Sequence, residues 1–163
     1  MKFSDSPVAA KARIESSEQA LQRTLPDARL QVTPLPTVEQ IQLALINADY
    51  QTGPLPADVM RAVIARPAYW AFCWGSGLAL ARWLLQNPGV VADKRVADVG
   101  CGCGIGAIAA KMAGAREVIA CDNDQDALLS ARTNAALNNV SLAFADDVAC
   151  LDNGFDLILM ADV

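Results

Sequence analysis

From residue 94 onward, short and almost wholly apolar runs alternate with helical stretches. This alternation narrows the possible fold more than any other feature of the chain. The apolar runs are 94–99 (KRVADV), 117–121 (EVIAC), 141–145 (SLAFA) and 155–161 (FDLILMA), and the helical stretches between them are 105–114 and 126–139. Strands without a polar face must be buried on both sides, so the pattern predicts a parallel sheet with helices packed against it.

The expected class is therefore α/β, a Rossmann-like doubly wound parallel sheet. The sequence ends at Val163, directly after an apolar run. Four parallel strands would leave the last one as an uncovered edge, so the sheet is expected to be truncated after its fourth core strand. Upstream, Ser6-Pro7 is a good helix start, and a surface helix is expected over about 7–24. Pro26, Pro34 and Pro36 interrupt the next stretch, leaving 28–33 as a short strand; 38–50 fits either periodicity, with a strand expected around Gln42–Ile46. A short helix over 58–66 ends before Pro67. Residues 1–66 thus form a helical and extended accessory segment, and 67–163 the core. The core opens with a buried helix carrying large apolar residues at 70, 74, 78, 84 and 85 and stopping at Asn87-Pro88-Gly89.

Composition removes several functions. The 163 residues suffice for one domain with a sizeable core, which excludes disorder throughout. The 13 basic and 18 acidic residues give a net charge of −5, with no basic stripe to neutralise phosphates, so no nucleic-acid partner is expected. There is no histidine, which eliminates Ser-His-Asp and Cys-His catalysis, HExxH metal sites and any imidazole base. The longest uncharged stretch, Pro67–Ala81, is too short to span a membrane. Five cysteines, behind a start that lacks a secretory apolar region, read as reduced thiols of a cytoplasmic protein. Cys101 and Cys103 have no second ligand pair, so no metal site is expected.

The chemistry concentrates in VADVGCGCGIGA, 96–107, between a strand and a helix. Gly100, Gly102, Gly104 and Gly106 let the backbone turn and approach a ligand beside a helix N-terminus. No Lys-Ser/Thr follows, so this is not a P-loop, but a dinucleotide cradle fits as well as a nucleoside one. Asp122, ending the second strand, can accept both ribose hydroxyls in either case. Asp98, inside the first strand, would repel a pyrophosphate and attract an ammonium or sulfonium, which favours S-adenosylmethionine over NAD. Asp146-Asp147 ends the third strand, where Asp147 could accept from the adenine amine or lie in a solvated turn.

DVGCGCGIG, then ACDND, ADD and FDLILMADV, in this order and spacing, resemble the successive motifs of class I, seven-β-strand S-adenosylmethionine-dependent methyltransferases. PAYWAFCWGSGLALARWLL followed by DVGCGCGIGAIAAKMAGA is similar, more narrowly, to the group that includes the electron-transfer-flavoprotein β-subunit lysine methyltransferase and its bacterial relatives. The resemblance implies that Trp74 lines the cofactor site, Gly100 and Gly102 approach its methionine portion, Asp122 binds its ribose and Ala161 lies beside it. Asp162 matches the Asp of the family's Asp-x-x-Tyr motif, near the methyl-accepting nitrogen. The sequence stops before the Tyr.

The expected function is methyl transfer to a protein lysine, with a small-molecule amine as the nearest variant. An NAD-dependent oxidoreductase and a non-catalytic cofactor-binding remnant stand as alternatives. A displacement at a sulfonium asks mainly for proximity and alignment, which a histidine-free pocket can supply. Trp83 and Trp70 read as packing residues, and Asn134, Asn138 and Asn139 as residues that end the second helix.

Overall fold

The structure is a computed structural model that describes residues 7–50 and 53–161. Helix α1 (Pro7–Gln22) leads into an antiparallel hairpin of β1 (Leu30–Leu35) and β2 (Val38–Ile46), followed by α2 (Ala57–Ala65) and α3 (Gly75–Gln86). The remaining elements alternate: β3 (Arg95–Val99), α4 (Ile105–Met112), β4 (Glu117–Cys121), α5 (Gln125–Leu137), β5 (Ala143–Ala145) and β6 (Leu157–Met160). All pairings among these four strands are parallel, in the order β5-β4-β3-β6. The first two crossovers build the sheet in one direction, and β6 then lies on the other side of β3. The order thus reverses at β3, and this reversal opens a crevice beyond the carboxyl ends of the strands.

The α/β class and the four parallel strands are as expected; three local features differ. First, the two upstream strands pair with each other as an antiparallel hairpin, Leu30 opposite Ile46, a pairing not foreseen. Leu35, Val38, Ile41, Leu43 and Leu45 of this hairpin are buried in the same apolar cluster as Val96, Ile108 and Leu128. Second, the expected continuous helix from Trp70 is broken. Tyr69–Ala71 form a short 3-10 turn, and Phe72 and Trp74 are extended before α3 begins at Gly75. The Trp74 indole N–H donates to the Tyr69 carbonyl at 2.9 Å, so a side chain bonds a carbonyl across this extended stretch. Trp83, expected to pack, is half exposed on α3. Third, along β6 Leu159 is buried while Ile158 and Met160 are 56% and 62% exposed, so the cover expected on both faces is not met there.

The hairpin is held to the core by amides. Asn134 and Asn138 are four residues apart on α5, so their side chains project from one face about 6 Å apart. Asn134 accepts from the Ala44 N–H at 2.8 Å; Asn138 accepts from the Gln42 N–H at 2.9 Å and donates to the Gln42 carbonyl at 2.7 Å. Alternate residues of an extended strand are about 6.8 Å apart, close enough for two consecutive rungs. The two amides therefore pair with the outer edge of β2 as another strand would. Asn138 also caps α5, as expected, but Asn134 is fully buried and ends nothing. Helix α1 closes over α5 through a Ser17–Thr133 hydroxyl contact of 3.0 Å and an Arg23–Asp126 ion pair of 2.6 Å.

Asn134 also donates to the Cys103 carbonyl at 2.8 Å. Substituting Asn134→Ala strands a buried amide and a buried carbonyl at once, at a cost of about 2–4 kcal/mol. Urea unfolding followed by circular dichroism is expected to show that loss, against a change below about 1 kcal/mol for the exposed Ser16→Ala.

Candidate functional site

A cavity of about 780 Å³ occupies the crevice at the reversal point. Its floor is the turn after β3, with Gly100, Cys101, Gly102, Cys103 and Gly106; Asp122, Asn123 and Asp124 enter from the end of β4 and Ala161 from the end of β6. Ala65–Pro67, Tyr69, Trp70 and Trp74 form the opposite wall. The volume lies within the range of sites that enclose a molecule of cofactor size.

Two carboxylates shape the floor. Asp122 accepts from the Gly102 N–H at 2.9 Å through one oxygen and from the Asp124 N–H at 3.0 Å through the other. An ionised carboxylate has about four acceptor positions, so those not used by the loop can receive ligand hydroxyls. Gly100 and Gly102 take left-handed conformations, with φ of 67° and 50°, that a side chain would strain.

Asp98 lies at the carboxyl end of β3, buried, and accepts from the Ala107 N–H in the first turn of α4 at 2.7 Å. Position 106 has no room for a side chain, because a methyl group there would lie 2.9 Å from one Asp98 oxygen and 3.0 Å from the other. Burial pushes the Asp98 carboxyl up to about 7, against the pull of the Ala107 bond and helped by the Asp122 charge. No basic side chain among the described residues pairs with it. Such a buried acid is the partner that a cationic ligand needs.

Not every residue singled out in the sequence faces the cavity. Gly104 does not line it. With φ of 81° it starts α4, and a methyl there would come within 3.0–3.1 Å of Ala131 on α5, so its bareness serves helix–helix approach. Asp147 also lies outside the lining and accepts from the Ala149 N–H at 2.8 Å, capping its own turn as the solvated alternative implied. Asp162 lies outside the described residues. Trp74, Asp98, Gly100, Gly102, Asp122 and Ala161 do meet at the cavity.

The cavity also uses residues with no prior signal. Arg66 is the one basic residue of the lining. Tyr69 and Trp70 reach it because the 3-10 turn, unforeseen in a run of aromatics, bends the chain there. Asn123 could have been anticipated as the residue after Asp122, and Asp124 as the cap of α5, where it accepts from the Asp126 N–H. Cys101 and Cys103 are buried in the floor. Burial, with Asp98 and Asp122 nearby, raises the Cys101 thiol, and a hydrogen bond with Cys73 raises that of Cys103, so both are neutral. No group of three or more acidic or thiol side chains among the described residues is arranged to hold a metal ion.

Residues 81–161 match the family model of the ribosomal protein L11 methyltransferase (PrmA), a span that includes the glycine turn, Asp122 and Ala161. The chain carries a class I S-adenosylmethionine-dependent methyltransferase core. This methyltransferase core is 46% identical over 98 residues to the electron transfer flavoprotein beta subunit lysine methyltransferase of Danio rerio, covering 58% of this chain and 38% of the relative. It is 42% identical over 77 residues to the ribosomal protein L11 methyltransferase of Burkholderia lata, covering 47% of this chain and 25% of the relative. The chain thus spans less than half the length of these relatives. Among solved structures, the T. Thermophilus 16S rRNA N2 G1207 methyltransferase superposes over 82% of this chain and 32% of its own, with a TM-score of 0.53 at 17% identity, a likeness of fold.

The buried acid makes the methyltransferase core sensitive to pH. An ordinary aspartate ionises near 3.8, whereas folded Asp98 keeps its proton up to about 7. Between these values the folded state binds the extra proton, so this group's contribution to stability falls as pH rises from about 4 to about 7 and then levels off. Asp98→Asn is expected to abolish that slope, gaining roughly 2–4 kcal/mol on the parent protein in urea unfolding between pH 4 and pH 8. Affinity for S-adenosylmethionine, measured by titration calorimetry, is expected to rise with pH through about 7 in the parent and to be weaker and flat in Asp98→Asn.

Proposed function

We propose that this protein transfers a methyl group from S-adenosylmethionine to the side-chain amine of a lysine on a protein substrate. The observation that carries the cofactor half is the pair Asp98 and Asp122 at one cavity floor. One is buried without a cation, the other is exposed to ligand hydroxyls, and between them runs a turn whose glycines leave room for a ligand. The acceptor half is supported by the relatives, whose names specify a lysine of the electron transfer flavoprotein beta subunit in one case and ribosomal protein L11 in the other.

The residues present fit the cofactor. Asp122 would hold the ribose hydroxyls, Asp98 would face the cationic end of the methionine portion, Arg66 would pair with its carboxylate, and Trp74 and Ala161 would flank it. Bound there, S-adenosylmethionine supplies an electrophilic methyl group, which the acceptor nitrogen takes in line as the carbon–sulfur bond breaks. The protein's own contribution is alignment and exclusion of water, worth several orders of magnitude when the reacting atoms are held at attack distance. The amine must be neutral to attack, and its proton leaves to solvent; Asp162, next in the chain after Ala161, is the residue proposed to orient it. An NAD site is disfavoured because a pyrophosphate at this turn would face the Asp98 carboxylate.

Titration calorimetry with S-adenosylhomocysteine, with NADH as control, tests the cofactor. Binding of the former alone is expected, weakened about 10- to 100-fold by Asp122→Asn in a variant whose circular dichroism matches the parent. Mass spectrometry after incubation with S-adenosylmethionine and either the electron transfer flavoprotein beta subunit or ribosomal protein L11 tests the acceptor. Methylation at a lysine is the expected result, and its absence alongside normal cofactor binding would turn the reading to a small-molecule amine.

A further inference from the structure

Three exposed aromatic rings stand together beside the cavity, two of them, Tyr69 and Trp74, lining it. Tyr69 is 63% exposed, Trp74 47% and Phe72 40%, although the intervening Trp70 and Ala71 are buried. The ring centroids of Tyr69 and Trp74 are 5.9 Å apart at 70°, and those of Phe72 and Trp74 are 5.7 Å apart at 50°. The cluster is pre-set: Trp70 anchors the segment in a second apolar cluster with Leu21, Ala44 and Ala127, and the Trp74 indole is tied to the Tyr69 carbonyl. Three large side chains within six residues are thus presented to water beside the cavity.

We propose that the aromatic rim of Tyr69, Phe72 and Trp74 is the entry surface for the methyl acceptor, and that it takes a cationic alkylamine, the lysine side chain of a protein partner. The proposal rests on the methyltransferase reading given above and adds the residues that choose the acceptor. Tyr69 and Trp74 line the same cavity as the glycine turn, on the wall that faces it, so two of the three rings border the space a ligand would fill.

Charge selects the occupant. The electron-rich faces of aromatic rings attract a desolvating ammonium, and the acidic side chains of the same cavity, Asp98, Asp122 and Asp124, disfavour an anionic occupant. Arg66, the basic residue of the lining, is matched by the methionine carboxylate in the reading above. A lysine has the further merit of a four-carbon apolar stem, which can lie along the rings while its charged end advances. Aromatic faces also stack on nucleobases. A nucleic acid would, however, bring phosphates to a cavity lined by three acids, in a protein with a net charge of −5. A carboxylate-bearing acceptor is disfavoured for the same reason.

The decisive variants sit at Phe72, which belongs to the rim but not to the cavity lining. With S-adenosylhomocysteine bound, fluorescence anisotropy is read with a labelled Gly-Lys-Gly peptide, its norleucine counterpart and a single-stranded oligoribonucleotide. The lysine peptide is expected to bind better than the norleucine peptide. Phe72→Ala and Phe72→Leu are expected to weaken it about three- to ten-fold, and Phe72→Tyr to restore it, because the leucine keeps apolar area but lacks a ring face. The calorimetric affinity for S-adenosylhomocysteine is expected to stay within about two-fold in all three. Equal binding of the lysine and norleucine peptides, an unchanged affinity in Phe72→Ala, or preference for the oligoribonucleotide would each overturn the rim proposal while leaving the cofactor reading intact. Failure of the parent protein to bind S-adenosylhomocysteine would overturn both.

Discussion

The outer edge of β2 presents backbone donors and acceptors that must find partners once the hairpin lies against the core, and everything above the sheet depends on how this is met. Two asparagines of α5 meet it. Their amides offer the donor and acceptor pattern of a peptide group, so Ala44 and Gln42 are paired as they would be inside a sheet. The same Asn134 holds the Cys103 carbonyl in the glycine turn. One buried side chain therefore couples three parts of the chain that are remote in sequence: the hairpin, the helix after β4 and the ligand-facing turn. A buried amide left half satisfied would be costly, and here both of its ends are used.

The turn itself is fixed by acids as well as by the burial of Cys101 and Cys103 in the core. Asp122 grips Gly102, and Asp98 grips the first turn of α4. Burial holds the Asp98 carboxyl protonated up to about 7. A neighbouring cation favours the ionised carboxylate that burial disfavours, so the site suits a sulfonium or ammonium ligand better than a neutral one.

Much of the core was legible because its information is local. Apolar runs of strand length, helical periodicity between them, and a glycine-rich turn after the first strand are all read within a few residues of one another, and Asp98, Gly100, Gly102 and Asp122 follow from that frame. What escaped depends on contacts distant in sequence or on local chemistry with two outcomes. The hairpin lacked a strong turn signal, since its reversal at Pro36-Thr37 places a non-glycine residue at a positive φ of 68°. Asn134 looks like a helix end because nothing nearby reveals that its partner lies 90 residues upstream. Gly104 sits in a ligand-binding pattern yet is bare because Ala131 crosses it, and Asp147 spends its carboxylate on its own turn. Tyr69 and Trp70 reach the cavity because the aromatic run breaks into a 3-10 turn that periodicity cannot forecast.

The two-rung match between α5 and β2 works like a vernier. The helix advances about 6.0 Å per four residues and the strand about 6.8 Å per two, so each further rung would fall out of step by roughly another 0.8 Å. Ser130, one turn before Asn134, accordingly contacts the Asn134 amide and not the strand. A helix can therefore stand in for a strand over only a short length: its amides pair with β2 at Gln42 and Ala44, and the rest of the hairpin meets the core through apolar side chains such as Leu35 and Val38.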